Sequence, residues 1–85
     1  MDDPMNIAVT FRQMLPDEDL LTRVREGCRQ LGANAWSVFV EAQKNATRVQ
    51  LVRDLGEETQ RVEATHHDRF MAFEDALAQL DSLAR

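Results

Sequence analysis

Near its start the chain reads NIAVTFR, where Ile7, Val9 and Phe11 alternate with Ala8, Thr10 and Arg12. A period of two puts the apolar set on one face of a strand, predicted over residues 6–13. The period then changes. In LPDEDLLTRVREGCRQLG, the residues Leu20, Leu21, Val24, Cys28 and Leu31 fall on one side at helical spacing, which predicts a helix over about 16–31. Pro16 suits the first helical position, Asp17, Glu18 and Asp19 suit the positive end of the helix dipole, and Gly32 suits the stop.

After a short turn at residues 32–34, AWSVFVEA returns to alternation, with Trp36, Val38, Val40 and Ala42 on one face. QKNA predicts a tight reversal, TRVQLVRDL a further strand through Val49 and Leu51, GEE a turn, and QRVEAT a short last strand with Val62 and Ala64. Asp68 then stands where a helix N-cap would stand, and Phe70, Phe73, Leu77, Leu80 and Ala84 follow at intervals of three and four. The order predicts a two-layer α+β domain, β-α-β-β-β-α, in which two helices cover one face of a four-stranded sheet. The last three strands are expected as an antiparallel meander, and the first two as a parallel pair if they are neighbours.

Composition narrows the class. The 85 residues make room for one small domain spanning 1–85, with 1–5 expected as a flexible tail, and no apolar run approaches the ~20 residues of a membrane span. The acidic start, MDDP, does not read as an export signal, so a cytoplasmic location is expected. The single cysteine, Cys28, lies among helical apolar positions and is expected as a buried reduced thiol. Net charge is −5, and all of it resides in the last third: residues 1–53 hold seven acids and seven bases, residues 54–85 eight acids and three.

No reaction is written in these residues. The adjacent His66 and His67, with Glu63 and Asp68, form the one cluster with metal-ligating side chains, but neighbours in extended chain point apart and no converging partners are apparent. Cys28 has no reason to meet a histidine, the paired acids are consecutive, and the three glycines form no phosphate loop. The expectation is a protein that is not an enzyme, with no metal and no cofactor.

Two surfaces could bind a partner. If Trp36, Val38 and Val40 go under the helices, the opposite sheet face shows Thr10, Arg12, Ser37, Phe39, Glu41, Arg48, Gln50, Arg61 and Glu63, where one aromatic among arginines could stack a base; the reverse assignment of the two faces stays open. The outer side of the first helix offers Arg23, Arg25 and Arg29, of which Arg25 and Arg29 are four apart and could contact phosphates, with Glu26 off to one side.

NIAVTFRQM followed by PDEDLLTRVREGCRQL resembles the opening strand and first helix of the ribosome hibernation-promoting factor family, also called ribosome-associated inhibitors. DRFMAFEDALAQLDSLAR is similar to the Asp-x-Tyr-x-Ala-Ile start of that family's last helix, with Phe70 for the tyrosine, Ala72 kept and Phe73 for the isoleucine. The resemblance implies a β-α-β-β-β-α domain without catalysis or cofactor. It implies binding to the small ribosomal subunit where messenger and transfer RNA pass, silencing translation under stress. Arg12, Arg23, Arg25 and Arg29 are the expected RNA-binding residues. The chain departs from the family in its acidic last helix, with Glu74, Asp75 and Asp81, and in its short reversal between the second and third strands. The competing expectation is therefore a protein-interaction module that binds a basic protein, or itself, through Phe39, Glu74, Asp75 and Asp81 or through a sheet edge.

Overall fold

The computed structural model describes residues 7–30, 36–54 and 56–83. Its elements run β1 (Ala8–Arg12), α1 (Glu18–Gln30), β2 (Trp36–Gln43), β3 (Ala46–Asp54), β4 (Thr59–His66) and α2 (Arg69–Leu83). The strands form one sheet in the order β1-β2-β3-β4. β1 pairs with β2 in parallel, and β2, β3 and β4 pair antiparallel, which is the topology expected from the pattern.

Alternation decides which face is covered. Val38, Val40, Val49, Leu51, Val62 and Ala64 are buried on one side of the sheet. Leu20, Val24 and Cys28 of α1 and Ala72, Phe73, Ala76 and Leu80 of α2 close over them in a single core. Ile7, Val9, Phe11, Met14, Phe70 and Leu77 pack against its rim. α2 lies over β3 and β4, and α1 packs beside α2.

Several boundaries differ from the pattern. β1 ends at Arg12 because Gln13 takes a left-handed φ of 62°, which breaks strand geometry before the turn into α1. Pro16 is not helical. Asp17 is the N-cap: its Oδ1 accepts from Leu20 N at 3.1 Å and its carbonyl accepts from Leu21 N at 2.8 Å. A capping carboxylate closer to the apolar run takes the place that the proline's preference suggested. Asp68 caps α2 as expected, its Oδ1 accepting from Phe70 N at 2.8 Å and Met71 N at 3.3 Å. The tail at 1–5, the turn at 32–34, Leu31, Leu55 and Ala84 lie outside the described residues, as does the side chain of Trp36.

The helices run parallel, matched step for step. Arg69 in the first turn of α2 pairs with the α1 cap Asp17, Arg23 pairs with Glu74 a turn further on, and Gly27 then meets Phe73 and Leu77. A Cβ at Gly27 would come within 2.9 Å of the Phe73 ring and of Leu77, so glycine is what lets the helices approach this closely.

Candidate functional site: the open sheet face and the arginines of the first helix

The sheet face turned away from the helices is uncovered and polar. Across it the register aligns Thr10, Phe39, Gln50 and Glu63 in one row, and Arg12, Glu41, Arg48 and Thr65 in the next. The Arg12 guanidinium lies 5.0 Å from the centroid of the Phe39 ring, a cation–π stack. Arg48 bridges two acids, with Glu41 at 3.6 Å and Glu63 at 2.9 Å. Arg12, Phe39, Glu41, Arg48 and Gln50 line a recess of about 60 Å³. That is far below the roughly 300 Å³ at which small-molecule pockets begin, so this face suits a surface contact rather than an enclosed ligand.

The four arginines singled out from the sequence occupy three environments. Arg12 is on the open sheet face. Arg23 does not share the outer side of α1 with Arg25 and Arg29: it turns toward α2, pairs with Glu74 and sits 5.9 Å from the Phe73 ring centroid. Arg25 and Arg29 are exposed and line an open groove with Thr22 and Glu26. Glu26 is not off to one side, because its carboxylate accepts from Arg29 at 3.2 Å and from Gln30 at 3.4 Å. The outward helix face is thus part neutralised, with Arg25 its least encumbered cation.

The acids of α2 are engaged as well. Glu74 holds Arg23, and Asp75 Oδ2 lies 3.1 Å from His66 Nε2. Both contacts cross between elements, which a list of consecutive acids does not reveal. Phe39 stands apart from them on the far side of the sheet, so the residues Phe39, Glu74, Asp75 and Asp81 do not form one patch.

His66 and His67 point apart. His66 faces α2, whereas His67 Nδ1 donates to the carbonyl of Asn45 in the β2–β3 turn at 2.7 Å. Among the described residues no three His, Cys, Asp or Glu side chains gather as a metal site would require. Burial pushes the Cys28 thiol up to about 11, away from the thiolate that nucleophilic chemistry uses.

The fold and its open face define a small α+β domain with a mixed four-stranded sheet shielded on one side by a parallel helix pair. Solved structures share it, among them the following two. A ribosomal subunit interface protein from Coxiella burnetii superposes with a TM-score of 0.83 at 14% identity, covering 93% of this chain and 92% of that one. The N-terminal domain of Protein Y from Thermus thermophilus superposes with a TM-score of 0.78 at 19% identity, covering 93% and 94%. The first is named for the ribosomal subunit interface, and both share the β-α-β-β-β-α order expected from the sequence. At these identities the likeness is one of fold. No family model matches the sequence. No curated protein matches it either.

Proposed function

We propose that this chain is a non-enzymatic, cytoplasmic, ribosome-associated protein that binds the small ribosomal subunit through ribosomal RNA and silences translation. What carries the reading is agreement between the motifs and the fold. The motifs at both ends resemble the hibernation family, and the whole fold matches a protein named for the ribosomal subunit interface. Arg25 and Arg29 on the outer side of α1 are the proposed phosphate contacts, with Arg12 reaching RNA from the open sheet face and Arg23 supporting α1 against α2. No helix among the described residues is long and apolar enough to cross a membrane.

The test is binding of the purified chain to isolated small subunits across a salt series, beside the Arg25→Ala/Arg29→Ala variant. Saturable binding is expected, with affinity falling steeply as salt rises and the logarithmic slope dropping by about 1 for each phosphate contact removed. Absence of binding even at low salt overturns the proposal. In that event the competing reading, a module that binds a basic protein, becomes the one to pursue. Its motive is the −5 confined to residues 54–85.

A further inference from the structure

β4 is an edge of the sheet, eight residues long, and its backbone has a definite polarity. The reversal at Lys44 and Asn45 joins Gln43 to Ala46 directly, so that pair exchanges hydrogen bonds. From there the alternation fixes every later strand position. Thr47, Val49, Leu51 and Arg53 direct their backbone groups at β4, where they meet His66, Ala64, Val62 and Gln60. Thr59, Arg61, Glu63 and Thr65 therefore direct their N–H and C=O groups outward. One contact agrees: the outward carbonyl of Glu63 is taken by Gln79 Nε2 of α2 at 3.1 Å.

We propose that β4 is the interface for a second copy of this chain, pairing antiparallel about a two-fold axis at Val62 so that Arg61 of each copy faces Glu63 of the other. The register follows from elimination. Two edges can pair only where outward residues oppose outward residues, because only those have backbone groups to exchange. Centring on Glu63 sets two carboxylates directly opposite each other, and centring on Arg61 does the same with two guanidinium groups; both arrangements repel. Centring on Val62 gives two opposite-charge pairs, sets Thr59 against Thr65, and places Val62 against itself on the covered side. It also uses nearly the whole strand.

Arg61 is exposed and forms no ion pair among the described residues, so it is available to the partner. Its own neighbours across β3 offer it none: it lies opposite Val52. The two-fold axis runs through the sheet, so both copies keep their helices on one side. α2 then meets its counterpart through the face that overhangs β4, where Met71 is 54% exposed and Ala78 and Ser82 are small and exposed. In the single copy, Gln79 occupies the central carbonyl of the edge and guards it against other strands. Pairing transfers that carbonyl to the Arg61 N–H of the second copy.

This inference goes beyond ribosome association and does not depend on it. Sedimentation equilibrium of the full chain from about 10 μM to about 1 mM reads it directly. The mass should rise from the 9.7 kDa of one chain toward twice that value. Arg61→Glu alone and Glu63→Arg alone should each stay at 9.7 kDa, and an equimolar mixture of the two variants should recover the doubled mass. Gln79→Ala should shift association to lower concentration. A wild-type chain that stays single to about 1 mM overturns the proposal. So does an Arg61→Glu variant that associates like wild type. Circular dichroism of each variant guards against misfolding, and the Gln79→Ala shift tests the edge without touching either charge.

Discussion

The two faces of the sheet come from the same strands and differ only in which alternate residues they show. On the covered face Val38, Val40, Val49 and Leu51 are wholly buried beneath two helices. On the open face their sequence neighbours Phe39, Glu41, Arg48 and Gln50 are half-buried, with Phe39 stacked by Arg12 and Arg48 paired to Glu41 and Glu63. The covered face is where burial fixes the fold. The open face is ordered by contacts that water screens, so its residues can change with little loss of structure. Binding is therefore free to evolve there and on the outside of α1, while the core beneath stays the same.

Paired aromatic truncations should break that comparison most plainly. Phe73→Ala removes the largest fully buried side chain, between α1, α2 and the sheet, and should cost about 3–5 kcal/mol in chemical denaturation, enough to threaten folding of so small a domain. Phe39→Ala on the open face should cost about 1–2 kcal/mol, since it loses half-buried area and the Arg12 stack. Equal losses would mean that the open face is also core.

Alkaline pH should reveal the covered face through Cys28. Burial raises the folded thiol from 9.0 to about 11, so between these values the unfolded chain releases a proton that the folded chain retains. Stability from this group is complete below pH 9 and is lost as pH rises toward 11, up to ~3 kcal/mol in all. Cys28→Ala should flatten that part of the stability profile. If the slope persists in the variant, another group is responsible.

The smallest effect belongs to the ion pairs of the open face. Arg48→Ala breaks both of its bridges, yet the partners remain in contact with water, and the loss should be under about 1 kcal/mol in the same denaturation measurement. A larger loss would indicate that Glu41, Arg48 and Glu63 act as a cooperative network.

Much of this architecture was legible in the chain. Alternation through Val38 and Val40, and through Val49 and Leu51, placed the strands and separated their two faces, because a strand's two faces are set by adjacent residues; which face lies under the helices was decided by the structure. Helical spacing through Leu20, Val24 and Cys28, and the cap at Asp68, placed both helices. Two boundaries were decided by local competition: Pro16 suggested a first helical position that Glu18 takes two residues later behind the Asp17 cap, and Gln13 ends β1 by a backbone angle that its side chain does not advertise.

The candidate sites were less legible than the fold. Arg23 and Arg25 are two residues apart, yet one is committed to Glu74 and the other is open, and Glu74 and Asp75 are consecutive yet hold groups on different elements. His66 and His67 likewise separate toward α2 and the β2–β3 turn. The sequence by itself determined the order of elements, the apolar side of each helix and the charge of each segment, since these depend on residues within a turn or a pleat of one another. Only the tertiary structure decided which charges remain for a partner and which strand is left as an edge. A cation's availability depends on what long-range packing sets beside it, and residues tens of positions apart along the chain supply those neighbours.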